Sequence, residues 1–164
     1  MSVTIAFLHA KPSLIGKLIK WWTRADGQEK EEVPYHVEIA MTKNSWYSAS
    51  TRSGVWRNKK FWLSMGSWRV YTFNVSEDDN GKMLVKAINF LGSKYDWLNI
   101  LGSDIMGLGL QKDGRLTCDE GVALVLRECE LFSDLDEIAL LNPNRLEQYI
   151  KRKYNDIHNI HTVT

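Results

Sequence analysis

The chain has 164 residues and a formal net charge of +1, and 44% of its residues are hydrophobic. This length and balance predict one globular domain with a core of its own. The near-neutral charge argues against a nucleic-acid protein held by phosphate contacts, because such proteins carry a basic excess. The start of the chain lacks the basic and long apolar segments of a signal peptide, and no apolar run reaches the roughly 18 residues of a membrane span.

The first half of the chain predicts strands with one early helix. Residues 2–9 are rich in β-branched and aromatic side chains, which favours a strand, and the apolar spacing of residues 11–24 predicts a helix. A charged loop follows and ends at Pro34. Further strands are predicted at residues 35–41, 45–50, 54–57 and 68–75. The short connections between these four strands favour an antiparallel meander.

Residues 35–41 carry the clearest alternation of the chain. His36, Glu38 and Ala40 fall on one face of the predicted strand. The opposite face is apolar and consists of Val37, Ile39 and Met41. The strand therefore holds an imidazole and a carboxylate two residues apart on the same face.

The second half of the chain predicts helices. Ser76 with Asp79 three residues later resembles a capping box, and the helix that follows is expected to end at Gly92. Residues 95–110 are apolar but interrupted by glycines, so a short helix and a loop are expected. Two more helices are predicted at residues 118–129 and 142–154, the first with Val122, Ala123, Val125 and Leu126 facing inward.

These elements predict an α+β fold, a small antiparallel sheet packed with helices. The predicted domain comprises residues 1–154, and residues 155–164 are expected to form a frayed tail. The chain has no CxxC, no HExxH and no cluster of His and Cys at ligand spacing, so no metal site is predicted. It also lacks the glycine-rich loops that hold nucleotide phosphates, and no cofactor is expected.

One cysteine and one histidine are candidates for chemistry. Cys118 begins a predicted helix, where the helix end favours a thiolate and first-turn N–H groups can hold an oxyanion. His36 lies within a strand, where an imidazole can act as general base for a distant cysteine. Each residue can also be explained without a catalytic role: Cys118 packs at the start of a helix, and His36 packs within a strand. Of the remaining histidines, His9 ends the first predicted strand and could approach the site, although a cap of a turn is favoured, and His158 and His161 are expected in the tail.

The second cysteine, Cys129, is expected in the core. It lies eleven residues after Cys118 on the same predicted helix. At about 1.5 Å per residue the two backbones would be roughly 16 Å apart, which is too far for a disulfide bond.

Five segments carry a resemblance to a known group of enzymes: YHVEIAM, SASTRSGVWR, YDWLNILG, TCDE and NPNRLEQYI. In this order they are similar to the pattern S-H-V-E-L, S-A-S-x-R-x-G-G-V-R, Y-D-W-x-G, C-S-E and S-P-x-x-L. That pattern is typical of small phage-encoded proteins in the circularly permuted branch of the papain-like cysteine enzymes, related to the NlpC/P60 superfamily. The resemblance covers residues 3 to about 150.

The resemblance implies a permuted papain-like fold and a thiol hydrolase that acts through an acyl-enzyme. By position, Cys118 falls on the nucleophile and His36 on the general base. The residue that orients the imidazole is left open: Ser48 or Ser50 on the neighbouring strand, or Glu38 on the face of His36. The implied substrate is a peptide, amide, ester, thioester or other acyl compound. Since related permuted members transfer acyl chains between lipids, a lipid acyltransferase is the enzymatic alternative.

The alternative from another class is a catalytically silent phage accessory or virion protein that uses the fold for binding, for example to a host protein. Either protein is expected in the host cytoplasm or associated with the virion.

Three positions depart from the family pattern. Asp119 replaces a serine, and its charge beside the thiol opposes the effect of the helix end on the thiol pKa. Gly121 stands where a bulkier residue is common, and one glycine, Gly54, precedes Val55 instead of two.

Overall fold

The computed structural model describes residues 1–9, 14–24, 28–29, 32–43, 45–49, 56–59, 67–96, 114–135 and 142–159. These residues form an α+β fold with a five-stranded antiparallel sheet and helices packed on one of its faces. Within the ranges described, no helix is both long and apolar enough to cross a membrane.

The five strands of the main sheet are β1 Ser2–Leu8, β2 His36–Thr42, β3 Ser45–Ala49, β4 Trp56–Lys59 and β5 Trp68–Asn74. Their order across the sheet is β4-β3-β2-β1-β5. The predicted meander is right for β2, β3 and β4 but wrong for β5, which pairs along the whole of β1. Since β1 carries Val3, Ile5 and Phe7 in the core, pairing on both of its edges gives it the interior place that such a strand needs.

Four α-helices are described: α1 Leu14–Thr23, α2 Glu77–Asn89, α3 Cys118–Leu126 and α4 Pro143–Asn159, with a short 3-10 helix at Glu130–Phe132. The side chain of Ser76 accepts the N–H of Asp79 at 3.0 Å, so Ser76 caps α2 as predicted. The predicted extension of α3 to residue 129 is wrong. The N–H groups of Glu128 and Cys129 bond to carbonyls three residues earlier, and this tightening ends the helix. Cys129 is nevertheless buried in the core.

Helix α4 continues beyond the predicted end at Tyr154 and reaches Asn159. The Tyr154 ring packs edge-on against Tyr71 and Phe73 and stacks on His158 at a centroid distance of 3.9 Å. These contacts hold the last turns of the helix against β5, so this part of the predicted tail is ordered helix. Residues 160–164 lie outside the described residues.

The sequence did not predict a second, two-stranded sheet. Its strands, β6 Lys94–Tyr95 and β7 Arg115–Leu116, pair in parallel, and the N–H of Asp96 extends the ladder to the carbonyl of Leu116 at 3.2 Å. β7 leads through Thr117 directly into α3. The small sheet therefore joins the YD of the YDW segment to the residues just before Cys118. Residues 97–113, which hold most of the predicted short helix, are not among those described.

Helix α3 packs on the main sheet through a close contact between Gly121 and Trp56. Trp56 is fully buried, and its Nε1 donates to the carbonyl of Ala87 at 2.9 Å. A methyl group on Gly121 would stand 2.7 Å from Cε3 of the Trp56 ring and closer still to Cζ3. The glycine therefore allows α3 to approach the indole. This contact gives a structural reason for a glycine where the resemblance leads us to expect a larger residue.

Candidate functional site

Cys118 is the first residue of α3, as the sequence predicts. Thr117 caps the helix through a reciprocal capping box with Glu120. The N–H of Glu120 donates to Thr117 Oγ1 at 3.3 Å, and the N–H of Thr117 donates to Glu120 Oε2 at 3.4 Å. A threonine followed three residues later by a glutamate is the signature of this box, so the segment TCDE itself indicates where the helix begins.

The sulfur of Cys118 is hydrogen-bonded to strand β2. Its thiol donates to Asp119 Oδ1 at 3.7 Å, and it accepts the backbone N–H groups of Val37 and Asp119. The β2–β3 register ends at the pair Ile39 and Tyr47. Beyond that pair, the carbonyl of Val37 accepts the hydroxyl of Ser48 at 2.7 Å. The Cys118 sulfur thus accepts a backbone N–H of β2 beyond the last residue pair between β2 and β3.

The environment of Cys118 keeps it protonated at rest. Burial raises the pKa of the thiol far above its ordinary value, and the negative charge of Asp119 raises it further. The N–H groups of Val37 and Asp119 lower the pKa, but the first two effects are larger. The sequence led us to expect a pKa lowered by the helix end. The direction is the opposite because only 2% of Cys118 is exposed.

His36 is held by Glu38. Its Nε2 lies 3.0 Å from Oε1 of Glu38, whose side chain is buried. When the Glu38 carboxylate is ionised it only accepts hydrogen bonds, and Nε2 is then the donor of this contact. The ring of Trp68 packs edge-on against the imidazole at 6.3 Å. Of the three residues left open for the orienting role, Glu38 contacts the ring, Ser48 donates to the carbonyls of Val37 and Ala49, and Ser50 lies outside the described residues.

Cys118 and His36 lie at the same end of β2 but on different sides of it. Val37 belongs to the core that contains Cys118, whereas His36 and Glu38 lie on the opposite face of the strand. Among the described residues, no hydrogen bond joins the sulfur to the imidazole. The sulfur of Cys118 therefore lies beside the backbone of Val37, the residue that follows His36, but no hydrogen bond joins the two predicted side chains.

A second polar cluster lies around Glu147 of α4. Its Oε1 is 3.0 Å from His9 Nε2, and it accepts Arg69 Nη1 at 3.2 Å and the Tyr71 hydroxyl at 3.5 Å. Lys20 donates to the carbonyl of His9. Burial, followed by the charge of Glu147, raises the pKa of Tyr71 to about 12. His9 was predicted at a turn and is instead a buried partner of Glu147, which nothing in the local sequence could indicate.

Comparison of the chain with protein-family models, curated proteins and solved structures finds no match. The resemblance to permuted papain-like enzymes therefore stays a prediction. In the part of the chain that the structure describes, no group of three His, Cys, Asp or Glu side chains is arranged to hold a metal ion.

Asp119→Asn is expected to lower the pKa of the Cys118 thiol. The substitution removes the negative charge that, after burial, does most to raise this pKa. Because the thiolate is the nucleophile, alkylation of Cys118 should begin to rise at a lower pH than in the wild type. Iodoacetamide labelling across pH with mass-spectrometric detection measures the effect, in a Cys129→Ala background that removes the second thiol.

The matched control for this prediction is Glu120→Gln. It removes the same charge from the same helical turn, but the Glu120 carboxylate accepts from the N–H of Thr117 and is not among the groups that shift the thiol pKa. Its labelling profile should stay at the wild-type position. If Asp119→Asn also stayed there, burial alone would account for the raised pKa.

Proposed function

We propose that this protein is a cysteine hydrolase in which Cys118 attacks a carbonyl carbon and His36 acts as general base. One observation carries the proposal: the sulfur of Cys118 accepts the N–H of Val37, the residue that directly follows His36 in β2. This hydrogen bond supports a site in which nucleophile and base share one end of one strand despite their distance in sequence.

The contact between His36 and Glu38 supports the role of the base. Glu38 engages Nε2, so Nδ1 is the nitrogen that takes up the thiol proton. The buried carboxylate also stabilises the imidazolium that forms. Glu38 is thus a positioning residue that acts through His36.

In the proposed reaction, the His36 ring turns from the opposite face of β2 to come within hydrogen-bond reach of the sulfur, and the thiol proton moves to Nδ1 as the sulfur forms a bond to the substrate carbonyl carbon. The oxyanion that results needs donors at the start of α3. The N–H groups of Thr117, Glu120 and Gly121 have acceptors within the chain, and that of Asp119 points to the sulfur. The N–H of Cys118, which has no acceptor within the helix, is the first-turn donor that remains.

The imidazolium then protonates the leaving amine, alcohol or thiol, and the bond from the carbonyl carbon to the leaving group breaks. A water molecule, deprotonated by His36, releases the acyl group as a carboxylic acid and regenerates the thiol. The substrate class is an amide, an ester or a thioester. Since the resting sulfur is a thiol, proton transfer accompanies the attack instead of preceding it.

The test of this proposal is acylation by p-nitrophenyl acetate, followed by intact-protein and peptide mass spectrometry. We expect acetyl-Cys118 in the wild type, none in Cys118→Ala, and a rate about 10²-fold lower in His36→Ala, which is at the low end for loss of a general base. His158→Ala changes an exposed histidine of α4 and should react at the wild-type rate. An unmodified Cys118 in the wild type, or an unchanged rate in His36→Ala, would contradict the proposal.

A second candidate function is a catalytically silent protein that uses this fold for binding. The burial of the sulfur and the adjacent Asp119 carboxylate favour it, because both keep the thiol neutral. Such a protein would form no acetyl-Cys118, with Asp119 or with asparagine at position 119. Its partner would be a host protein or another virion component.

A further inference from the structure

Helices α1 and α4 are neighbours in the same layer. Ile19 of α1 and Leu146 and Ile150 of α4 belong to the same core cluster. The Asn144 amide donates to the carbonyl of Thr23 at 2.8 Å and so joins the end of α1 to the start of α4. Because both helices cover the same face of the sheet, their outer faces both point away from it.

Among the described side chains of these two helices and of Arg24, which follows α1, exposed cations outnumber exposed acids. α1 contains no acidic residue, and of the two acidic residues of α4, Glu147 is buried and Asp156 is exposed. The exposed cations are Lys17, Arg24, Arg145, Lys151 and Arg152. With a net charge of +1, the chain must carry its acidic residues elsewhere, as in the first turn of α2. The charge is therefore distributed asymmetrically.

An exposed tryptophan lies among these cations. Trp21 is 67% exposed, whereas Ile19, Lys20 and Thr23 on the other side of α1 are buried. It follows Lys17 by four residues, so these two side chains share one face of the helix, and Arg24 directly follows the end of α1. Tryptophan favours the interface between membrane and water, and anionic lipids attract lysine and arginine, so an exposed tryptophan beside such cations fits a membrane surface.

We propose that this basic face, comprising Lys17, Trp21, Arg24, Arg145, Lys151 and Arg152, binds the surface of an anionic phospholipid bilayer. The cations would contact lipid phosphates, and the indole of Trp21 would enter the interface between headgroups and acyl chains. None of these residues belongs to the site around Cys118, so the proposal does not depend on the proposed hydrolase. A bilayer is favoured over nucleic acid because the cations spread over two adjacent helices and the chain has no overall basic excess.

The test is sedimentation of the full chain with vesicles of phosphatidylglycerol or of phosphatidylcholine. We expect binding to phosphatidylglycerol that weakens with added salt, and little binding to phosphatidylcholine. Lys17→Gln with Arg24→Gln should weaken binding about 25-fold, at about fivefold for each cation lost. Trp21→Ser should weaken it about tenfold, since part of the indole leaves water on binding.

Matched controls come from α2, which presents its own exposed cations and apolar residues. Lys82→Gln with Lys86→Gln removes two cations, and Val85→Ser removes a side chain that is 59% exposed. Both controls should bind vesicles as the wild type does. Absence of binding to phosphatidylglycerol, equal losses in the α2 controls, or full binding by Trp21→Ser would overturn the proposal. Tighter binding to a DNA duplex than to these vesicles in the same salt would assign the face to nucleic acid and overturn it as well.

Discussion

Replacing Glu147 with alanine is expected to lower the free energy of unfolding by about 3 kcal/mol. Its buried carboxylate accepts hydrogen bonds from His9, Arg69 and Tyr71. Alanine would leave these groups without that acceptor, and unpaired buried groups cost more than the lost bonds contribute. The Arg69 side chain is 45% exposed and can regain water, which keeps the value at the low end for buried ion pairs. Urea unfolding followed by circular dichroism measures the change.

The matched control for Glu147→Ala is Glu128→Ala. Glu128 pairs with Lys86 at 3.0 Å, and both side chains are more than a third exposed. The loss there should stay below about 1 kcal/mol, as for other surface pairs. If the two alanine variants lost the same amount, the cluster around Glu147 would contribute no more than a surface ion pair.

Replacing Trp56 with alanine is expected to lower the free energy of unfolding by about 4 kcal/mol. The side chain is fully buried, packs edge-on against Phe90 at 5.9 Å and donates to the carbonyl of Ala87. Alanine would leave a cavity between α3 and the sheet and a carbonyl without its donor. The same urea titration measures this loss, and an effect under about 1 kcal/mol would show that the site collapses onto the smaller residue.

Gly121→Ala tests the same contact from the helix side. Because its methyl group would overlap the Trp56 ring, it should cost about 2 kcal/mol. In a Trp56→Leu background the cost should shrink, so that the two changes are not additive. Gly81→Ala in α2 is the control. A methyl there meets nothing within 4 Å, and it should stabilise the protein by about 0.5–1 kcal/mol. A similar stabilisation by Gly121→Ala would contradict the contact.

Much of the fold could be predicted from local patterns in the sequence. Alternation with period two correctly separated His36 and Glu38 from Val37 and Ile39, because a strand places successive side chains on opposite faces. The apolar spacing of α3 correctly placed Val122 and its neighbours in the core. These patterns depend only on residues close in sequence, so they predict which side chains of a strand or helix face the core.

The pairing of the strands could not be predicted from local patterns. β5 pairs with β1 across more than sixty residues, and no local signal distinguishes that partner from β4. β6 and β7 have two residues each, which is too short for a periodic pattern. Both features arise from tertiary packing, which overrides the preference for neighbouring strands to pair.

The candidate site was predicted in part. The start of α3 and the strand of His36 were found from sequence, and the structure brings both to the beginning of β2. The burial of Cys118 was not foreseen, because it depends on how closely Gly121 lets α3 approach the sheet. The cluster of His9 and Glu147 was missed because the two residues meet across 138 positions.

The pairing of β1 on both of its edges has a consequence for how the molecule is made. During synthesis β1 is made before its partner β5, which comprises residues 68–74, and Glu147 can reach His9 only after the 138 residues that separate them have been made. Contacts between such distant segments slow folding and leave apolar edges exposed to aggregation in the meantime. A chain released before α4 is made could still pair β1 with β2 and β5, but it would lack the Glu147 partner of His9 and the core side chains of Leu146 and Ile150.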